Sequence, residues 1–84
     1  MPESLYIVYH LRSIKFPEQP YIGFTEDLDA RLKEHNRGGS VYAGRYRPWR
    51  LVSYHAFTDK KKAKEFEAYL KSGSGRAFAK RHLW

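Results

Sequence analysis

Two periodicities alternate along the chain. Residues 5–11, LYIVYHL, carry apolar groups on both alternating sets, with Leu5, Ile7 and Tyr9 on one and Tyr6 and Val8 on the other. That pattern predicts a strand covered on both faces. Residues 12–19, RSIKFPEQ, hold a turn with Pro17, and residues 20–24, PYIGF, predict a second short strand. The two lie close enough for an antiparallel hairpin. The period then lengthens: Leu28, Leu32 and His35 recur at i, i+4 and i+7 and predict a helix that stops at Asn36 and Gly38. Thr25 is expected to cap it, and Glu26, Asp27 and Asp29 suit the positive end of its dipole. Residues 40–49, SVYAGRYRPW, are expected to be a loop, and residues 50–57, RLVSYHAF, a third strand. Thr58 is expected to cap a second helix from about Asp59 to Ser72, closed by Gly73, before a last short helix through GRAFAKRHL at 75–83. The expected order is β-β-α-β-α-α, an α+β fold with a small three-stranded antiparallel sheet flanked by helices.

Two charges sit where this pattern calls for apolar groups. Arg31 lies beside Leu28 on the stripe of the first helix. In the second helix Ala63, Phe66 and Leu70 are spaced at i, i+3 and i+7, and the i+4 position is Glu67. Burying an unpaired ion costs several kcal/mol. One reading is an Arg31–Glu67 salt bridge that clamps the two helices. The other is that both faces open onto a cleft, where a guanidinium meets phosphate and a carboxylate meets a metal. Spacing alone leaves both open.

Composition narrows the partners. Eighty-four residues make one domain, and such a chain buries only about 60–65% of its unfolded surface, so each of its seven Tyr, five Phe and two Trp matters. The absence of cysteine excludes disulfides and thiolate metal sites. The longest mainly apolar run is far too short to cross a bilayer, and residues 1–6 lack the basic and apolar parts of an export signal, so a cytoplasmic, nucleoid-associated protein with no membrane partner is expected. Sixteen Lys and Arg against nine Asp and Glu give a net +7, which favours a polyanionic partner, nucleic acid before membrane, over a merely soluble basic domain. Residues 37–50, RGGSVYAGRYRPWR, interleave Arg37, Arg45, Arg47 and Arg50 with aromatics and hold no acid, a composition suited to phosphate contact and base stacking. Trp49 is expected to anchor this segment to the core. Lys60 and Lys61, with Lys62, open the second helix against its dipole and are either solvated or set toward a nucleic-acid backbone, and Arg76, Lys80 and Arg81 extend the basic character. His10 and His55 have no companion at ligand spacing, so zinc is not expected.

Taken together, IVY at 7–9, YIGFTEDLDARLKEHN at 21–36, RPWRLVSY at 47–54 and EAYLKSGSGR at 67–76 resemble the GIY-YIG nuclease family, in particular its small stand-alone bacterial members. The likeness runs from Leu5 to about Phe78, and the four ordered blocks are specific where no single tripeptide is. It implies a site shared between sheet and helices. The family's first tyrosine falls on Tyr9, its second on Tyr21, its helix arginine on Arg31 with His35 one turn on, and its metal-binding glutamate on Glu67. Two of these are the charges flagged by the helical pattern, which favours the cleft. The first glycine of the family name is Ile7 here, while the last is kept as Gly23, consistent with a close approach at that point.

The resemblance implies a metal-dependent DNA endonuclease, structure-selective and acting in repair, recombination or turnover of foreign DNA, with residues 1–84 as a single nuclease domain. Glu67 would hold Mg²⁺ or Mn²⁺ in a one-metal scheme, and Arg31 would support the phosphate. The family likeness favours Tyr9 as base, with Tyr21 orienting water or phosphate. A phenol is a poor base at neutral pH unless cations stabilise its phenolate, and His35 is the alternative base. No sequence-reading module is present, so recognition by shape, by strand ends or through a targeting protein partner is expected, and nothing suggests a small-molecule substrate. The rival expectation is a non-catalytic nucleic-acid-binding module of the same fold. A purely structural basic protein would explain the two stripe charges only as a salt bridge.

Overall fold

A computed structural model describes residues 5–84; residues 1–4, and with them most of the stretch read for an export signal, lie outside the described residues. The central element is strand β1 (Tyr6–Ser13), which pairs antiparallel with β2 (Pro20–Thr25) on one side and β3 (Trp49–Phe57) on the other, in the order β2-β1-β3. Its alternating apolar sets feed separate clusters. Val8 joins Ala63, Leu70 and Ala79, with Tyr6, Ile22, Phe24 and Phe66 packed around them. Tyr9 and Leu11 join Trp49, with Tyr21, Leu28, Leu32 and Tyr46. The strand is therefore covered on both faces, as its pattern predicts.

Helix α1 (Leu28–Asn36) and α3 (Lys60–Leu70) are the two long-period segments, and α4 (Gly73–His82) closes the fold. The α+β class and the antiparallel sheet are as expected, with one helix more. Residues 41–46, expected to be a loop, form helix α2 (Val41–Tyr46). Ser40 caps it by accepting from the Ala43 amide, Ala43 is buried, and Arg47 returns to extended backbone ahead of Pro48. The glycines that suggested a loop instead permit a tight junction. Gly38 adopts φ +81 at the end of α1, a conformation that favours glycine, and a Cβ there would stand 3.3 Å from the Cα of Gly44.

Two helix caps fall later than expected, by two residues in α1 and one in α3. Asp27, not Thr25, caps α1 by accepting from the Ala30 amide, while the Thr25 hydroxyl braces Asp27 itself. Asp59, not Thr58, caps α3 through the Lys61 and Lys62 amides, and its carboxylate offsets the three lysines at the positive end of that helix. Helix α3 ends at Leu70 rather than Ser72, because Ser72 caps α4 and Gly73 begins it. Trp49 anchors its segment as expected: it is buried, its Nε1 donates to the Ala43 carbonyl, and the Asn36 side chain bonds both its amide and its carbonyl. Among the described residues no helix is long and apolar enough to cross a membrane.

Where α4 begins, Gly75 lies so close to α3 that a Cβ would fall on the Tyr69 carbonyl and 2.7 Å from the Cα of Leu70. These are backbone atoms, which cannot swing aside. Gly75→Ala is therefore expected to destabilise the protein by about 1–3 kcal/mol, as overpacking does. In thermal unfolding a domain of this size loses roughly 4–8 °C per kcal/mol, and an unchanged midpoint would refute the close packing of α3 on α4.

Candidate active site

The site is organised around the phenol of Tyr9. This side chain leaves the middle strand, is 1% exposed, and lies across its cross-strand partner Gly23 on the edge strand. A Cβ at Gly23 would clash with the phenol oxygen and the adjoining ring carbon of Tyr9. The close approach expected at this glycine is thus made by a tyrosine side chain of the same chain. With no side chain at Gly23, the phenol can reach over the sheet edge.

Three neighbours meet it there. The Tyr9 hydroxyl is 3.0 Å from Nε2 of His35, which is 6% exposed and is the buried residue of α1. The Tyr21 ring stacks near that of Tyr9, with centroids 6.2 Å apart, and stands 4.5 Å from the His35 ring. Arg31, one turn before His35 on α1, is not buried: its side chain is 42% exposed and its Nε lies 3.3 Å from Glu34. Arg31 thus keeps its place beside Leu28 while its side chain reaches toward solvent, and the buried position of α1 is His35.

Burial pushes the Tyr9 hydroxyl up to about 12, helped by Tyr21 and Glu67 and opposed by the Arg31 guanidinium. Burial also holds His35 below its ordinary value, and Arg31 adds to this while Glu34 works against it. At neutral pH the pair is therefore a neutral phenol beside a neutral imidazole. That is a poised proton donor and acceptor in hydrogen-bond contact.

Glu67 approaches from the opposite helix. Its side chain is 16% exposed and is held by Lys71, the C-cap of α3, at 3.0 Å and by Lys64 of α3 at 3.7 Å. No Arg31–Glu67 ion pair is present among the described residues; each charge is balanced by partners on its own helix. The i−3 and i+4 lysines are legible in the sequence as helix neighbours of Glu67, yet only the structure shows them closing on its carboxylate. No group of three or more His, Asp or Glu side chains converges among the described residues. A lone carboxylate fits Mg²⁺, which keeps several of its waters and completes its shell with substrate phosphate.

The structure thus brings together Tyr9, Tyr21, Arg31 and His35, with Glu67 near enough for its charge to act on the same phenol. The basic residues are more dispersed. Arg37 and Arg47 meet at the junction of α1 and α2, where Arg47 donates to the Arg37 carbonyl, and Arg45 lies over the Tyr46 ring. Arg50 is exposed beside Arg12 across the β1–β3 pair, and Lys60 and Lys61 are exposed at the start of α3. Arg76 shares a cleft with Tyr21. The pattern did not single out Gly23 as a seat for a side chain, nor Arg12 and Lys71 as neighbours of the site.

The chain is 40% identical over 67 residues to a structure-specific endonuclease subunit SLX1 of Malassezia globosa, a match covering 75% of this chain and 15% of that protein. It is 38% identical to the SLX1 subunit of Candida dubliniensis, over 95% of this chain and 29% of that protein. A UPF0213 protein of Clostridium perfringens is 38% identical over 55 residues, 64% of this chain and 59% of that protein. The chain therefore spans less than a third of either SLX1 relative.

Two titrations test the site. Ultraviolet titration of the phenols should show one tyrosine ionising near 12, which is absent in Tyr9→Phe. Because His35 binds its proton more weakly folded than unfolded, stability is full above about pH 6.5 and falls as pH drops below it, as the unfolded chain protonates first. Urea unfolding at pH 7.5 and pH 5 should show this loss, smaller in His35→Gln; an equal loss in that variant would mean that His35 is not the group responsible. The model of the GIY-YIG catalytic domain matches residues 5–81, and the chain belongs to the GIY-YIG family.

Proposed function

We propose that the chain is a divalent-metal-dependent endonuclease that hydrolyses phosphodiester bonds in DNA, with residues 1–84 forming one catalytic domain. The observation that carries this reading is the convergence on one buried phenol of a neutral imidazole, a second tyrosine, a guanidinium and a nearby carboxylate. Hydrolysis needs a proton taken from the attacking water and charge balanced at the phosphate. Tyr9 takes the water proton as it gives its own to Nε2 of His35, so no free phenolate is required. The water oxygen bonds to phosphorus, and the bond to the departing oxygen breaks. Tyr21 orients the water or the phosphate, and Arg31, half exposed, meets the negative phosphate oxygens. Glu67 would hold Mg²⁺ or Mn²⁺, which supplies Lewis-acid charge at the phosphate.

Arg37, Arg45, Arg47, Arg50, Lys60, Lys61 and Arg76 supply the positive surface that draws and positions the DNA backbone. Structure-selective cutting is supported by the designation of the SLX1 relatives as structure-specific endonucleases, and a targeting protein partner by their designation as subunits. Repair, recombination or turnover of foreign DNA in the cytoplasm, alongside the nucleoid, is the role that fits. A second reading, a binding module without turnover, is favoured by one observation: the Glu67 carboxylate is already met by two lysines.

Cleavage of labelled single-stranded, duplex, flapped and branched DNAs with Mg²⁺ or Mn²⁺ decides between them. Cutting should need the metal and fall about 10²–10³-fold in Glu67→Ala, the usual loss when an electrostatic stabiliser is removed, with binding kept. Binding without cutting on every substrate would establish the module instead, and undiminished cutting by Glu67→Ala would place the site elsewhere. The rate should also rise with pH through a midpoint below the ordinary histidine value and then level off, since His35 acts neutral. Loss of that acid limb in His35→Ala is expected, and its persistence would remove His35 from the proton path.

A further inference from the structure

The Glu67 carboxylate is met at both of its oxygens. Lys71 Nζ donates to Oε2 at 3.0 Å, and Lys64 Nζ stands 3.7 Å from Oε1. The two ammonium groups are held differently. Lys64 also lies over the Phe24 ring, 4.4 Å from its centroid, so it keeps a partner if the carboxylate is taken by another cation. Lys71 has no second ion pair or ring contact among the described residues. Its side chain is 51% exposed and lines an open cleft, which leaves it room to swing away.

The backbone gives Lys71 a fixed root and a mobile tip. As the C-cap of α3 it donates its amide to the Glu67 and Ala68 carbonyls, so its stem starts one turn beyond Glu67 on the same helix face. The flexible stem then carries the ammonium back to the carboxylate. The negative end of the helix dipole lies at the same place, and an exposed i, i+4 pair is weak in water, so the ammonium loses little on leaving. The carboxylate is placed otherwise. At 16% exposed it has given up much of its water and needs a cation close by. A dication and an ammonium on the same oxygen repel each other, so the two cannot share Oε2.

We propose, resting on the reading of Glu67 as metal ligand, that Lys71 is the displaceable counter-ion of that carboxylate. Its ammonium occupies Glu67 in the free protein, yields it to a divalent cation, and thereby sets the concentration at which the cation loads. Lys64, with its second hold on Phe24, stays. The exchange also selects by charge. A free monovalent ion carries no more charge than the ammonium and competes against a group tethered to the same helix, so it does not displace Lys71. The contact that makes the carboxylate look spent in a binding module is then the resting state of a loading site.

The test is Mn²⁺ binding to the intact protein without DNA, at about 0.15 M ionic strength to screen distant charges. Affinity is read from water-proton relaxation, and position from paramagnetic broadening of the backbone amides around Glu67. Lys71→Met keeps the stem and drops the charge, and should bind Mn²⁺ about fivefold tighter. Lys71→Arg keeps a cation there and should stay within about twofold of the wild type. Lys15→Met, which drops an exposed charge from the turn between β1 and β2, should do the same. The Lys71 ammonium resonance of the wild type should shift as Mg²⁺ is added. Equal affinity in the wild type and Lys71→Met, with broadening centred on Glu67, would overturn the proposal and leave the metal reading standing. Equal tightening by Lys71→Met and either control variant would do so too. No broadening around Glu67 in the wild type or in Lys71→Met would overturn both.

Discussion

The contact on which the site depends is the Tyr9 phenol lying over the bare backbone of Gly23. It fixes the register of β1 against β2, because a shift of one residue would set a side chain under the ring. It carries a polar hydroxyl to the edge of the sheet while leaving the ring in the core. It also determines what α1 must supply. A buried hydroxyl needs a partner, and His35 provides one at 3.0 Å, which ties the helix to the middle strand.

The alternating pattern of residues 5–11, the hairpin, and the long-period helices were legible in the sequence because each follows from burial alone. What was misread follows from local chemistry. Residues 41–46 were expected to belong to a loop, yet Ser40 caps them and Ala43 and Tyr46 pack inward, so tertiary packing overrides weak propensity. The caps moved from Thr25 and Thr58 to the aspartates that follow, because Asp27 and Asp59 place a carboxylate against the first free amides where the threonines do not. Gly23 was visible as a close approach, but only coordinates say that the approaching group is Tyr9.

The two stripe charges are the instructive case. Their spacing admitted either a helix clamp or an open site, and neither Arg31 nor Glu67 pairs with the other. Helical periodicity reports which positions point toward a neighbour, and a long side chain at such a position can still reach the rim. Arg31 does so, while His35, one turn on, is the buried residue of the same helix. The remaining basic residues scatter because a positive surface needs only proximity to solvent, which leaves no period in the sequence to read.

The candidate residues Tyr9, Tyr21, Arg31 and His35 come from the hairpin and the helix next to it, whereas Glu67 arrives on α3. What sets the gap between these halves is Ala63, one turn before Glu67 on the same helix and 0% exposed against the sheet. A methyl group there takes little room between α3 and β1, where it packs in the same cluster as Val8. The spacing between the Tyr9 phenol and the Glu67 carboxylate thus depends on the volume of a core side chain, and drift in the size of that residue would shift the candidate site while leaving every one of its side chains in place.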